Sequence, residues 1–179
     1  MTEQELIRGC KRQDPLAQRA LYDQYSSLLF GIVRRYVRHQ EDAEDVFVEG
    51  MFKILTRIAS FREEGSFEGW MKRIMVNEAL MFLRKKNNLR LVADVSELQI
   101  GDETSIEHQI HADEILALVD QLPTGYRTVF NMYVVEGYKH REIAEALDIS
   151  INTSKSQLIL AKKRMRELLK KNRFHKTAS

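Results

Sequence analysis

Proline and glycine are so scarce in this chain that long helices are the expected structure. Its 179 residues include two prolines, Pro15 and Pro123, and eight glycines. Sandwiches and barrels need many turns, and these two residue types supply most of them, so a sheet of many strands is not expected. The hydrophobic fraction of 44% is large enough to bury a core, which argues against a disordered chain. We therefore predict an all-α protein.

The first half of the chain contains three segments with apolar residues at helical spacing. They run from Leu16 to Val37, from Ala43 to Ile58, and from the N-cap residue Ser66 to about Lys86. A loop from Ser60 to Gly65 joins the second segment to the third. Three or four helices of this kind make a small bundle, which we assign to residues 1–86.

A change in composition predicts a boundary between two domains. The chain has no lysine or arginine from Leu91 to Gln121. We expect residues 87–111 to be an acidic linker. Helical spacing returns before Pro123, and a helix is predicted from Gly125 to Val135, so residues 112–179 form the second helical domain.

The net charge of +2 conceals a separation of charge along the chain. Residues 1–90 carry a net charge of +3, residues 91–120 carry −8, and residues 121–179 carry +7. The final segment, 150–179, carries +8. A basic segment of this kind favours a polyanionic partner such as nucleic acid, although a terminal basic helix can also be only a solvated surface.

Several classes of protein are excluded by composition. The single cysteine, Cys10, rules out an internal disulfide and a cysteine-based zinc site, and it fits a reducing compartment. The five histidines are scattered, so we predict no metal, no cofactor and no enzyme. No apolar run is long enough for a signal sequence or a membrane span, so we expect a cytoplasmic protein without membrane insertion.

The second domain ends in a helix-turn-helix pattern. A short helix is predicted from His140 to Leu147 and a long basic helix from Ile151 to about Lys171. The turn needs a left-handed residue, which Asp148 tolerates, and Ser150 is the expected N-cap. This pattern is typical of DNA-binding modules, although many helical hairpins share it.

Three acidic residues in the first domain share one helix face. Asp42, Asp45 and Glu49 lie at i, i+3 and i+7. Acids near the start of a helix stabilise it through the macrodipole, which is the simplest interpretation, and a docking surface for a basic partner is the alternative. A catalytic carboxylate pair is not favoured, because no histidine or nucleophile accompanies these residues in the sequence.

A second candidate set combines aromatic, cationic and amide side chains. Aromatic rings stack on exposed bases, arginines bind phosphates and an amide reads a base edge, which together bind single-stranded DNA. The alternative is that the aromatic rings belong to the core. The set comprises Phe61, Arg62, Phe67, Trp70, Arg73 and Asn77.

A third candidate set belongs to the helix-turn-helix. Hydroxyl, amide and amine groups near the start of its second helix can reach base edges and phosphates. We expect Asn152, Lys155, Ser156 and Lys163 on the outer face, Thr153 and Gln157 beside them, and Arg141 as a further contact from the preceding helix.

Two ordered sets of motifs carry a family resemblance over nearly the whole chain. The first set contains Leu21-Tyr22, Tyr25, Asp42-Ala43-Glu44-Asp45, Phe61-Arg62, Gly65-Ser66-Phe67, Gly69-Trp70, Ile74, Asn77, Ala79-Leu80 and Leu83-Arg84. The second contains Leu122-Pro123, Gly125-Tyr126-Arg127, Val129-Phe130, Glu136-Gly137-Tyr138, Glu142-Ile143-Ala144, Leu147, Ile149-Ser150, Thr153 and Lys155-Ser156. In this order, joined by an acidic linker, they resemble regions 2 and 4 of the extracytoplasmic-function (ECF) sigma factors of the sigma-70 family.

This resemblance implies a role for each candidate set. The acidic face would dock on the beta-prime coiled coil of core RNA polymerase, and the second domain would meet the beta flap. The Phe61–Asn77 set would recognise the promoter -10 element and hold its non-template strand, and the third set would read the -35 element. An anti-sigma factor is a further expected partner, and the linker would thread toward the RNA channel.

One alternative remains open, and the chain departs from the family pattern at a few positions. The alternative is a transcription regulator whose helix-turn-helix is controlled by a helical partner-binding domain. Val48 replaces a glutamine that is usual in the family after the acidic motif, and Ile159 and Leu160 replace a serine and an arginine that are frequent there.

Overall fold

All regular structure in the described part of the chain is helical. The computed structural model describes residues 1–86 and 112–176, and the chain divides at Lys86 into two compact units, Met1–Lys86 (unit 1) and Asn87–Ser179 (unit 2). The prediction of an all-α protein is therefore confirmed. The predicted linker, residues 87–111, lies outside the described residues.

Unit 1 contains four α-helices and one short 3-10 helix. Helices α2 and α4 begin where the sequence indicates: the carboxylate of Asp14 accepts a hydrogen bond from the amide of Leu16 at 2.9 Å, and Ser66 Oγ accepts one from the amide of Gly69 at 3.1 Å. The elements are α1 (Glu3–Lys11), α2 (Pro15–Tyr36), α3 (Gln40–Arg57), the 3-10 helix (Ile58–Ser60) and α4 (Phe67–Lys85).

Helix α1 was not among the predicted segments, although the sequence contains its start signal. Thr2 Oγ1 accepts a hydrogen bond from the amide of Glu5 at 3.3 Å, and the carboxylate of Glu5 accepts one from the amide of Thr2 at 2.8 Å. This reciprocal pair is a capping box, and the hydrogen bonds to Thr2 lower the pKa of Glu5. The spacing of a threonine and a glutamate three residues apart could have located the helix.

Helices α3 and α4 pack closely against each other in unit 1. A Cβ atom added at Gly50 would lie 2.4 Å from the sulfur of Met75, so no larger residue fits there without a shift of Met75. Lys53 on α3 forms an ion pair with the buried Glu78 on α4 at 2.6 Å. The hydrogen bond and charge of Glu78 raise the pKa of Lys53. These contacts fix α4 relative to α3.

Unit 2 contains four described α-helices and one π-helical turn. The helix predicted from Gly125 to Val135 instead changes from α to π geometry after Phe130. The amide of Glu136 donates a hydrogen bond to the carbonyl oxygen of Asn131, five residues earlier, at 2.9 Å. Gly137 follows with φ +77°. The elements are α5 (Ala112–Val119), α6 (Thr124–Phe130), the π turn (Asn131–Val135), α7 (His140–Leu147) and α8 (Ile151–Lys176).

The turn between α7 and α8 confirms the predicted helix-turn-helix. Asp148 adopts the left-handed conformation, with φ 54° and ψ 52°. Ser150 Oγ accepts a hydrogen bond from the amide of Thr153 at 2.9 Å, which makes Ser150 the N-cap of α8. Helix α8 continues to Lys176, beyond the predicted end. Among the described residues, no helix is both long and apolar enough to cross a membrane.

Candidate functional site

The acidic residues of α3 lie on one face, but they do not carry equal free charge. Asp45 and Glu49 are exposed. Asp42 is only 24% exposed and forms an ion pair with Lys86 at 2.7 Å, which partly neutralises it. Glu49 lies 3.6 Å from Lys53. The negative potential of this face therefore comes mainly from Asp45 and Glu49.

Two large apolar side chains on α3 are also exposed to solvent. Val48 and Phe52, one helical turn apart, are 65% and 61% exposed. An apolar pair on the polar side of an amphipathic helix indicates a contact surface when it lies beside charged residues. We had not singled out Phe52 from the sequence, although a helical projection of α3 would have placed it beside the acidic face. We call Asp45, Val48, Glu49 and Phe52 the α3 surface.

An open cavity lies between the loop after the 3-10 helix and the start of α4. Its volume is about 580 Å³. We call it the loop cavity. Aromatic, cationic and small side chains and one carboxylate, that of Glu64, surround it. The cavity therefore offers a stacking wall, and its two arginines outnumber the single acid. Its lining consists of Ser60, Phe61, Arg62, Glu64, Gly65, Ser66, Gly69, Trp70 and Arg73.

The aromatic residues of this region form one cluster in which only part of the surface is accessible. The ring of Trp70 is half-buried and stacks on Phe67, with centroids 5.8 Å apart and planes 14° apart. The ring of Phe61 packs against that of Trp70, with centroids 5.5 Å apart. Phe67 is 1% exposed and does not line the loop cavity. The ring of Phe67 is therefore not accessible as expected: it belongs to the core and supports Trp70.

The remaining residues of the second set are distributed around and beyond the loop cavity. Arg62 and Arg73 are exposed and line it. Asn77 is exposed one turn further along α4 and is not part of the lining. The structure therefore brings Arg62, Trp70 and Arg73 together at the loop cavity and leaves Asn77 on the adjoining surface. Phe61 lines the cavity but is buried, so it mainly supports Trp70.

The outer face of α8 is mainly polar, with the half-exposed Ile159 and Leu160 between Ser156 and Lys163. Asn152, Lys155 and Lys163 are exposed and Ser156 is half-exposed, which places them where the helical spacing predicts. Arg141 on α7 is also exposed and lies 3.5 Å from Glu145, an exposed pair that contributes little to stability. These five side chains are accessible to a ligand.

Thr153 and Gln157 do not lie beside the outer face. Gln157 is fully buried and Thr153 is buried, and the Thr153 hydroxyl lies 2.8 Å from that of Ser150. Both residues belong to the stripe of α8 that packs against the rest of unit 2, together with Leu158 and Ala161. The expectation that they lie beside the outer face is therefore wrong, because their side chains form part of the interior.

His140 connects three elements of unit 2 next to this surface. Its ring stacks on that of Tyr133 in the π turn at 4.4 Å, and its Nδ1 lies 2.9 Å from the hydroxyl of the buried Ser154 on α8. Burial lowers the pKa of His140, and the charges of Lys155 and Lys162 lower it further. Both effects favour the neutral imidazole, and the contact with Ser154 helps to fix the start of α7 on α8. No sequence motif predicts this role of His140.

Neither a metal centre nor an activated thiol is found in the described residues. No group of three histidine, cysteine, aspartate or glutamate side chains there is arranged to hold a metal ion. Burial raises the pKa of the Cys10 thiol, which makes it a poor nucleophile.

Comparison with known proteins identifies both units. The family model for sigma-70 region 2 matches residues 21–89, and the model for sigma-70 region 4 matches residues 112–165. The RNA polymerase sigma factor SigV of Bacillus subtilis is 35% identical over 138 residues, which cover 76% of this chain and 81% of SigV. The ECF RNA polymerase sigma-E factor of Haemophilus influenzae is 29% identical over 175 residues, which cover 90% and 92% of the two chains.

Two solved structures share the fold. CnrH, in complex with the cytosolic domain of CnrY, aligns with a TM-score of 0.53 at 17% identity, over 92% of this chain and 95% of CnrH. The sigma factor RpoE of Bartonella quintana, in complex with the anti-sigma factor NepR, aligns with a TM-score of 0.54 at 18% identity, over 85% and 96% of the two chains.

The region 2 match decides between the two functions that the sequence left open. A regulator with an unrelated partner domain would not contain sigma region 2 in its first unit, whereas a sigma factor requires both regions in this order. The chain belongs to the sigma-70 family, in its ECF group, and is an RNA polymerase sigma factor that acts in transcription initiation.

Proposed function

We propose that unit 1 recognises the -10 element and holds its displaced strand in the loop cavity, and that unit 2 reads the -35 element. The observation that carries the proposal is the loop cavity itself, with Trp70 as its aromatic wall and Arg62 and Arg73 along its lining. The protein has no catalytic site of its own in this proposal. Strand opening is driven by binding.

The loop cavity offers what an unstacked base needs. A base that leaves the duplex loses stacking worth a few kcal/mol, and contacts with a shaped site offset this loss. Stacking on an aromatic side chain contributes about 1–3 kcal/mol per base. The half-buried ring of Trp70 is held against Phe67 and Phe61, so it presents one fixed face. The guanidinium groups of Arg62 and Arg73 would bind the backbone phosphates, and Asn77 would contact the strand beyond.

The outer face of α8 supports the -35 role. In helix-turn-helix proteins, residues near the start of the second helix contact base edges, and neighbouring cations contact phosphates. Asn152, Lys155 and Ser156 occupy the first two turns of α8, and Lys163 lies further along the same side. Arg141 on α7 would contact the backbone. We assign no DNA contact to Thr153 or Gln157.

The α3 surface would dock on core RNA polymerase. Exposed carboxylates and apolar side chains on one helix suit a partner helix that carries basic residues beside an apolar stripe. The proposed partner is the beta-prime coiled coil. Asp42, Asp45 and Glu49 supply the acidic part, with Asp42 contributing less because of Lys86. Unit 2 would meet the beta flap. Because the polymerase and the chromosome share the bacterial cytoplasm, we place the protein there.

An anti-sigma factor is the proposed regulator. Both structurally similar proteins were solved as complexes, RpoE with an anti-sigma factor and CnrH with the cytosolic domain of CnrY. A protein that covered the α3 surface would keep the sigma factor from the polymerase, because both partners would need Val48 and Phe52.

The -10 proposal is tested with holoenzyme assembled from the full chain and core RNA polymerase. On a promoter fragment that the parent opens, Trp70→Ala and Asn77→Ala are expected to lower the permanganate reactivity of the -10 thymines about tenfold, in line with the loss of one stacked base or one base contact. Binding to core and to unopened duplex should change less than twofold.

Met81→Ala is the matched control, since Met81 is exposed on the same helix and lies outside the loop cavity. The folded state of Trp70→Ala is checked by circular dichroism. Equal thymine reactivity with the parent, Trp70→Ala and Asn77→Ala would reject the proposed use of the loop cavity.

A further inference from the structure

Lys11, the last residue of α1, reaches the loop that forms the loop cavity. Its Nζ donates a hydrogen bond to the carbonyl oxygen of Phe61 at 3.1 Å and forms an ion pair with the carboxylate of Glu63 at 2.8 Å. Fifty residues separate Lys11 from Phe61 in the sequence. One ammonium group therefore binds the loop on both sides of Arg62.

The loop needs such an anchor because part of it is conformationally unfavourable. Glu63 has φ 61°, a left-handed conformation that residues with a Cβ atom rarely adopt. Such conformations persist where surrounding contacts determine them. The ion pair with Lys11 joins Glu63 to another element, α1.

Helix α1 is itself firmly attached to unit 1. Leu6, Ile7 and Cys10 are buried, and the helix packs against α2 and the 3-10 helix that precedes the loop. Lys11 is partly buried, with its side chain 28% exposed. The ammonium group thus projects from a fixed helix, which makes it a suitable anchor for the loop.

We propose that Lys11 is a positioning residue for the -10 site, which makes α1 part of that site. This inference rests on the proposed role of the loop cavity. Helix α1 lies before residue 21, where the region 2 match begins, so the family match assigns it no role. Lys11 holds Phe61 and Glu63 so that Arg62 and the cavity wall are in place before DNA arrives. A preformed site binds more tightly because less conformational entropy is lost on binding.

A direct contact between Lys11 and a DNA phosphate is the main competing explanation. The two explanations predict opposite effects for Glu63→Gln. If Lys11 positions the loop, removal of the carboxylate charge weakens the anchor and lowers promoter opening. If Lys11 binds phosphate, the same variant frees its charge and tightens DNA binding.

The test uses holoenzyme made from the full chain and a promoter fragment that the parent opens. Lys11→Met keeps most of the side-chain length and removes the charge. We expect it to lower -10 thymine reactivity about fivefold, the ratio that corresponds to the loss of one hydrogen bond of typical net strength. Glu63→Gln should lower it two- to threefold, and Lys11→Arg should retain at least half of the parent reactivity. The slope of log affinity against log salt should not change for Lys11→Met, whereas a lost phosphate contact would reduce it by about 0.9.

Arg19→Met is the matched control, because Arg19 forms an exposed ion pair with Asp23 at 3.0 Å in the same unit. It should open the promoter as the parent does. Fluorescence of Trp70, the single tryptophan, reports on the fold of unit 1 in each variant. Parent-like opening by Lys11→Met, a reduced salt slope, or tighter binding by Glu63→Gln would overturn the inference. If Trp70→Ala also opened the promoter normally, the proposed function would fail as well.

Discussion

The two units would contact DNA through surfaces of opposite shape. In unit 1 the proposed site is a cavity between a loop and a helix, with an aromatic ring that is half-buried against the core. In unit 2 it is the convex outer face of α8, where Asn152, Lys155 and Lys163 are exposed. A cavity suits a base that has left the duplex, and a convex helix suits the major groove of an intact duplex.

This difference determines how each site depends on the rest of its unit. The loop cavity requires contacts between residues far apart in sequence, such as Lys11 with Phe61 and Phe67 with Trp70 behind the wall. The face of α8 needs only a helix whose inner stripe is correctly buried. Substitutions behind the surface should therefore disturb function in unit 1 more strongly than in unit 2.

The largest expected effect comes from Phe67. Because Phe67 is 1% exposed, Phe67→Ala should lower the free energy of unfolding of unit 1 by about 3–5 kcal/mol, as is typical when a buried phenylalanine is truncated. It should also release the ring of Trp70 and abolish promoter opening. Urea unfolding followed by Trp70 fluorescence measures the loss.

Phe52→Ala is the control for this change. It truncates the same type of side chain in the same unit, but at a position that is 61% exposed. We expect a change within about 0.5 kcal/mol, as for most surface substitutions. A similar loss for both variants would contradict the structural assignment of Phe67 as the support of Trp70.

Gln157 provides a smaller test of the same comparison in unit 2. Its side chain is fully buried, so Gln157→Ala should destabilise unit 2 by about 1–3 kcal/mol, the cost of removing one side of a buried polar contact. Hydrogen exchange of the α6 and α8 amides, measured by mass spectrometry on the full chain, should show faster exchange in both helices.

The exposed Lys155 serves as the reference for Gln157. Lys155→Gln should leave amide exchange unchanged. It should instead reduce the slope of log DNA affinity against log salt by about 0.9. If Gln157→Ala left exchange unchanged but altered DNA binding, the original assignment of Gln157 to the DNA surface would be restored.

Prediction from sequence succeeded where local pattern determines structure. The helix bounds of α7, the left-handed turn at Asp148 and the caps at Ser66 and Ser150 depend on residues within one turn of each other. The same is true of the outer face of α8, where Asn152, Lys155 and Lys163 follow the helical period.

Prediction from sequence failed where tertiary contacts determine which side chain is accessible. A sequence of aromatic residues does not reveal that Phe67 supports the ring that Trp70 presents. Likewise, the inner stripe of α8 is wider than the apolar residues suggest, because Thr153 and Gln157 belong to it despite their polar side chains. The contact of Lys11 with the loop also depends on packing within unit 1, because it joins residues fifty positions apart.

The smallest expected effect concerns Leu160, on the outer part of α8. Leu160 lies four residues after Ser156 and three before Lys163, so it shares their side of the helix, and it is half-exposed. ECF sigma factors frequently have an arginine at this position. A leucine there releases no counterion, whereas a cation that neutralised one phosphate would add about 0.9 to the slope of log affinity against log salt. Leu160→Arg should therefore tighten -35 binding and steepen the slope by about 0.9, with little change in sequence preference.

The measurement is fluorescence anisotropy of a labelled -35 duplex with holoenzyme at several salt concentrations. Val134→Arg is the control, since it adds the same charge to unit 2 at an exposed position outside α8. It should change the slope by less than Leu160→Arg does, because position 134 does not lie on the outer face of α8. An equal change for both variants would show that added charge alone is responsible. If Leu160→Arg leaves the slope unchanged while its amide exchange matches the parent, residue 160 faces away from the DNA backbone. In that case the DNA-contacting face of α8 is narrower than the helical period implies. Unit 2 would then hold DNA mainly through Lys155, Ser156 and Lys163.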